Sequence, residues 1–508
     1  MLKFIAPENL PVAYGGTNTF AYQYVMPRAN ENAPMADEGA RGAAVHARRD
    51  ACERFEAITR RWAGVDSAAS NPLALADERA AAADELVAAS KVMDKHVRAR
   101  TLYHRIGVID TSQVMLGTKF KLATVLVLAL AAQAADVVFG YLPTWQADKT
   151  DNIDFSKYTH ITIAFAVPDA SGQLSMDNRD DMLKDWVDRL AESHTKVLVS
   201  LGGWTGSKHL SPIMKDPKKR AQMIADMVQW MRDFGFDGWD IDFEYPGRQG
   251  DSCHPFDAKD SDNFLLFLGE LRDALGGEFD DAKLITLATR FQPFDDASGP
   301  MSDVSAFADK VDYFNLMLYD FNGVWSSTTG PNAPLDFERG QGLQFSFKSS
   351  IQSWIDAGIP AGKINPGLPF YGRTVTAAVD EDMSEKSMYQ PLRKEIPRGD
   401  ADDREEADPS CGGPAVFSGI WKYRNLRAEG VLDAPDSAAA PWTRQFDNTT
   451  FTPWLFNTET RDFVSYDDAT SIAAKAQHAS ASGLAGVMVW PITNDYENEL
   501  LNAITSSL

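Results

Sequence analysis

The chain has little cysteine, little histidine and a shortage of positive charge. Three cysteines in 508 residues exclude a scaffold built on disulfides, which needs them far more densely. Eight histidines are scattered without the close spacing of metal ligands, so no metal and no cofactor is expected. Lys and Arg number 49 against 72 Asp and Glu, a formal charge of −23. Such a surface disfavours nucleic acid and anionic membranes as partners. The most apolar stretch, Leu122 to Ala132, is too short to span a bilayer comfortably.

The charge is unevenly spread. Residues 1–114 hold 14 basic and 14 acidic side chains, so the rest of the chain carries the whole −23. The joint has a recognisable form. Met115 opens Met-Leu-Gly-Thr-Lys-Phe-Lys, the apolar run follows, and Ala132-Gln133-Ala134 ends it. A basic start, a short apolar core and a small-x-small exit describe a secretory signal peptide over 115–134. Residues 1–114 then form an unassigned extension ahead of the true translation start, and the mature protein is expected to be extracellular. In an oxidising compartment Cys253 and Cys411 either pair or stand as two separate thiols. Asn448-Thr449-Thr450 is an acceptor for an N-linked glycan in a secreted chain.

From residue 135 onward, short β-branched and apolar runs alternate with helix-like segments, the pattern of a parallel α/β fold. Eight strands are predicted: 137–141, 160–166, 196–201, 236–243, 284–289, 311–318, 364–370 and 485–490. Eight is the number that closes a (β/α)8 TIM barrel. Between Asp216 and Gly235 an apolar stripe of Met223, Ile224, Met227, Val228, Met231 and Phe234 marks a helix lying on the barrel wall, and similar helices are read over 264–275 and 342–357. The barrel is assigned to 135–373 and 451–508. Residues 374–450, where the alternation fails, form a small α+β insertion between strands 7 and 8.

The fourth predicted strand carries the densest signal. It reads Gly-Phe-Asp-Gly-Trp-Asp-Ile-Asp-Phe-Glu-Tyr-Pro over 235–246. In extended chain Asp240, Asp242 and Glu244 share one face, with roughly 6.6 Å between alternate residues. Like charges that close in a partly dry site cannot all ionise, so a proton is retained. Glu244, the outermost, is placed to donate it. Asp237 falls on the opposite face and reads as structural. Barrel enzymes place their chemistry at the carboxyl ends of strands, where this chain has aromatics suited to stacking on sugar rings: Tyr141, Trp145, Phe165, Trp204, Tyr319, Trp325, Tyr371 and Trp490.

The pattern Asp237-x-x-Asp240-x-Asp242-x-Glu244 resembles the signature of the family 18 glycoside hydrolases, the chitinases, in a fungal-like form. Ser200 to Trp204, Met317-x-Tyr319-Asp320 and Gly367 to Arg373 are similar to that family's third-, sixth- and seventh-strand motifs, and Trp490 to the tryptophan that floors its sugar site. The likeness runs from about Val137 to the end. Pro491 departs from the usual pattern, and nothing before residue 137 matches. The resemblance implies a retaining, substrate-assisted hydrolysis of β-1,4 bonds between N-acetylglucosamine units, an exception to direct attack by a second carboxylate. It assigns Glu244 as acid and then base, and has Asp242 orient the acetamido group. Asp240 shares a proton with Asp242, and Tyr319 bonds the acetamido oxygen. Tyr141, Phe165, Trp204, Tyr245, Met317, Asp320, Tyr371, Arg373 and Trp490 line the substrate site. The expected partner is chitin or its oligosaccharides, bound by a monomer. Two alternatives stay open: a chitin-binding lectin on the same barrel, and an endo-β-N-acetylglucosaminidase acting on N-glycans. Mass spectrometry of the secreted protein should find a mature N-terminus at or near Ala135; one well upstream would defeat the signal-peptide reading.

Overall fold

The computed structural model describes residues 137–508 apart from 177–179, 192, 194, 281, 380–382 and 384–386. The extension and the signal-like segment lie outside the described residues. Eight parallel strands close on themselves: Val137–Pro143, His160–Pro168, Lys196–Gly202, Gly238–Asp242, Leu284–Arg290, Tyr313–Met317, Ile364–Pro369 and Gly486–Trp490. Each pairs with its successor, and the first pairs with the last through Val137↔Gly486 to Gly140↔Val489. This is the TIM barrel that the alternation predicts, and a closed sheet leaves no unpaired barrel edge.

Alternation along each strand separates two cores. On the first strand, Phe139 and Tyr141 point into the barrel, while Val138 and Leu142 pack in the layer between sheet and helices. The fourth strand behaves likewise, with Trp239 and Ile241 in the outer layer and two acids facing in. Low in the barrel, His160 stacks on Phe139 with ring centres 4.2 Å apart, and burial lowers its pKa to about 4, so it is neutral.

The helix Pro217–Phe234 shows why these elements form where they do. Asp216 caps it, accepting from the Lys218 and Lys219 amides at 2.9 and 3.3 Å. Gly235 ends it at φ +79°, a left-handed position that a side chain would strain. Its predicted stripe is buried except for Phe234, and the Trp239 indole donates to the Met227 carbonyl at 3.2 Å, tying helix to strand. Residues 260–278 form the next wall helix, longer than its predicted 264–275 core. The helix expected over 342–357 begins only at Phe347, because Ser346 and Ser349 form a reciprocal capping box there.

The insertion is an ordered unit with different bounds from those predicted. Five antiparallel strands pair in the order Ile420–Lys422, Tyr371–Thr376, Asp462–Ser465, Thr452–Asn457 and Trp442–Asp447, with a helix over Tyr423–Ala428. The barrel boundaries at 373 and 451 therefore move. Tyr371 to Arg373 already belong to this sheet, and 452–465 do too, because the strand that leaves the barrel pairs with Asp462–Ser465, far along the chain. Asn448 is exposed in the turn joining two of these strands. Among the described residues no helix is long and apolar enough to cross a membrane.

The chain re-enters the barrel through a second capping box, Asp468 with Ser471, at the head of the helix Ala469–Ala481. Beside it Lys475 donates to Asp467 at 2.5 Å, both side chains fully buried. A buried charge that loses its partner is costly. Lys475→Ala should therefore destabilise the fold by about 3–5 kcal/mol, read as a drop in Tm, whereas replacing both residues by apolar ones of similar volume should cost far less.

Candidate active site

The three in-register strands around the acids explain their placement. Ser200, Asp240 and Thr286 are cross-strand partners, as are Gly202, Asp242 and Ala288. Asp240 is wholly buried. Its Oδ2 accepts from Tyr141 Oη at 3.0 Å and Ser200 Oγ at 2.8 Å, and its Oδ1 from Thr286 Oγ1 at 2.5 Å and Asn315 Nδ2 at 3.5 Å. Burial raises its pKa and these donors oppose the rise. Four donors occupy the lone pairs of a carboxylate, so Asp240 is held as a saturated acceptor. Its partners thus come from neighbouring strands, while Asp242 lies close enough that the Asp240 charge raises its pKa.

Asp242 has no such support. It is 4 % exposed, and its Oδ1 is buried without a hydrogen-bond partner. Burial first, then the nearby Glu244 and Asp240, push its carboxyl well above the usual range. Glu244 follows at the strand exit. Burial raises its pKa to about 7, the hydrogen bond from Tyr245 opposes the rise, and the Asp320 charge adds to it. The outermost acid can thus bear a proton near neutrality, while the innermost is the one satisfied by donors. Asp237 points the other way, as its spacing predicts, accepting from the Val197 amide at 2.9 Å and pairing with Lys196.

The remaining predicted residues gather around these acids with some reassigned contacts. Tyr319 Oη faces Met488 Sδ at 3.8 Å, a weak acceptor. Asp320, at φ +60°, takes a bidentate pair from Arg373 at 2.6 and 2.7 Å and a bond from Tyr371 Oη at 2.7 Å. Read in sequence as two separate sugar ligands, Asp320 and Arg373 hold each other. Trp490 lies at the centre of an aromatic group, with Phe165, Tyr141 and Trp145 at centroid distances of 5.8, 6.0 and 6.3 Å. Met317 joins it from the sixth strand. Trp204 meets Tyr245 edge-on at 6.4 Å, and Trp325 lies over the Arg373 guanidinium at 5.1 Å. Trp145, Trp204 and Trp325 are 51, 46 and 56 % exposed, unusual for tryptophan and suited to a stacking ligand.

Several supporting residues escaped the sequence reading. Thr286, Asn315, Asn332 and Ser207 are ordinary polar residues with no motif of their own; strand register brings Thr286 and Asn315 to Asp240, while Ser207 and Asn332 reach the Glu244 and Asp320 amides from segments outside the strands. Gly202-Gly203, part of the Ser200 to Trp204 motif, reads by itself only as a turn. A Cβ on Gly202, at φ +109°, would lie 2.3 Å from the Asp242 carbonyl oxygen, and one on Gly203 would meet the Phe165 ring at 2.8 Å. Cys253 and Cys411 are disulfide-bonded, Cα atoms 5.5 Å apart, which joins the loop after the fourth strand to the insertion.

A model of the glycosyl hydrolases family 18 matches residues 137–495. Chitinase-like effectors of Moniliophthora roreri and Moniliophthora perniciosa are 33 and 36 % identical, covering 77 and 72 % of this chain and 97 and 86 % of their own. The crystal structure of a chitinase from Rhizomucor miehei aligns with a TM-score of 0.68 at 31 % identity, over 73 % of this chain and 99 % of that one. The barrel, the acid-bearing fourth strand and these matches agree: this chain belongs to family 18 of the glycosyl hydrolases.

Proposed function

We propose that this protein is a secreted chitinase that cleaves β-1,4 bonds between N-acetylglucosamine units with retention, using the substrate's own acetamido group as nucleophile. The observation that carries this is the pairing of Glu244, a carboxyl protonated up to about pH 7, with Asp242, a buried carboxyl whose Oδ1 has no protein partner. The first is a general acid with a proton to give near neutrality. The second awaits a donor that the ligand must bring, and an acetamido N–H is one. The Rhizomucor miehei neighbour, described as a chitinase, supports the same reading.

In the first step Glu244 delivers its proton to the glycosidic oxygen. The acetamido oxygen bonds to C1 as the C1–O bond to the leaving sugar breaks, giving an oxazolinium ion and a free alcohol. Asp242 accepts from the acetamido N–H and, ionised as the positive charge develops beside it, opposes that charge. Tyr319, whose hydroxyl has only a thioether to abandon, turns to the acetamido oxygen. Glu244, now ionised, takes a proton from a water that attacks C1 and opens the ring, restoring the acid. Trp490 and its aromatic neighbours stack on the sugar faces, and Asp320 fixed by Arg373 bounds the pocket.

A protein that binds chitin oligomers without cutting them is the second reading, favoured by the two relatives named chitinase-like effectors. The presence of Glu244 argues for catalysis. Assay on N-acetylglucosamine oligomers decides: cleavage that falls about 10²–10⁴-fold in Glu244→Gln, with oligomer binding kept, fits the chitinase, whereas wild-type binding without products selects the binder. The kcat/KM profile should fall as pH rises through about 7, since ionised Glu244 has no proton to donate. Arg373→Met should move that limb to higher pH, because an unneutralised Asp320 disfavours ionisation of Glu244 further.

A further inference from the structure

The acid at the strand exit lies beyond the ladder that fixes its neighbours. Pairing between the third and fourth strands ends at Gly202↔Asp242, and Gly202 turns the third strand away. Glu244 is two residues further on, so the hydrogen bonds that hold Asp240 and Asp242 in register do not reach it. One side chain takes over. Ser207 is 2 % exposed, and its hydroxyl lies 3.0 Å from the Glu244 amide nitrogen, 3.1 Å from the Asp242 carbonyl oxygen and 2.8 Å from the Gly203 carbonyl oxygen. A hydroxyl has one hydrogen and two lone pairs. It accepts from the Glu244 N–H and offers its own hydrogen to the two carbonyls.

We propose that Ser207 is a positioning residue for the catalytic acid. Its bonds bracket Phe243, gripping the backbone on both sides of the step that carries Glu244 out of the strand. The Phe243 ring packs into the wall against Phe264 at 5.7 Å, so side chain and backbone are held from opposite faces. Through Gly203 the same hydroxyl fastens the turn that carries exposed Trp204, making the sugar-stacking platform and the acid one rigid piece. The proposal rests on the chitinase reading above and adds a residue that no motif in the chain singles out. A group aimed at a reacting oxygen loses about a hundredfold in rate when displaced by 1 Å.

The test uses the whole protein and an N-acetylglucosamine hexamer. Ser207→Ala should lower kcat by about ten- to a hundredfold with KM little changed, and Ser207→Thr, which keeps the hydroxyl, should recover most of it. Ser211→Ala serves as the control: it removes a comparable buried bond, Ser211 Oγ to Asp260 at 2.8 Å, away from the acids, and should shift Tm without shifting kcat. Wild-type kcat in Ser207→Ala, or losses in kcat, KM and Tm that merely parallel those of the control, would overturn the proposal. If Ser207→Ala does not fold, Ser207→Cys takes its place under the same criteria. A wild-type protein that leaves the hexamer uncut sinks the chitinase reading instead. Crystal structures of wild type and variant then decide the role of Ser207, and a Glu244 carboxyl unmoved relative to Asp242 overturns it.

Discussion

Three carboxyl groups on one face of a buried strand repel one another and are each poorly solvated, and most of what surrounds them answers that problem. Burial disfavours the ionised form of every one, yet the three are treated differently. Asp240 receives hydroxyl and amide donors from the first, third, fifth and sixth strands. Asp242 receives none at its Oδ1, and burial with its acidic neighbours raises its pKa. Glu244, at the mouth, stays near the middle of the physiological range. Three different environments within five residues give the carboxyls different tasks, which is what acid–base catalysis on a sugar requires.

Close packing follows from the same need to keep the acids dry and aimed. The third strand passes so near the fourth that only glycine fits at 202, and the Phe165 ring fills the space over Gly203. Aromatic rings pack around Trp490, among them the exposed Trp145, while Trp204 beside Tyr245 and Trp325 over Arg373 are likewise open to a ligand. The insertion is part of this wall. Its first strand begins at Tyr371, so the residues that clamp Asp320 are carried by a sheet whose partner strand is Asp462–Ser465, and the Cys253–Cys411 bond fastens the loop after the acids to the same unit.

Much of this was readable in the chain because its signals are local. Strand and helix periodicity depend on neighbours two to four residues apart, and eight apolar runs at regular spacing specify a barrel without any knowledge of contacts. Alternation likewise placed Asp240, Asp242 and Glu244 together and sent Asp237 to the other face. The insertion's limits were less legible: the strand starting at Tyr371 has the composition of a barrel strand's end, and only its pairing with residues some ninety positions later shows otherwise. The start of the helix at Phe347 depended on a serine pair that composition alone does not distinguish from loop.

Residue types and their spacing were therefore enough to settle the architecture, the acid face and the family to which it belongs. They could not settle who bonds to whom across strands. That Asp240 draws donors from four strands, that Asp320 and Arg373 satisfy each other, and that Ser207 grips the step to Glu244 are all facts of tertiary packing. A hydrogen bond between strands joins residues scores of positions apart, and its energy depends on tenths of an ångström set by the packed barrel as a whole.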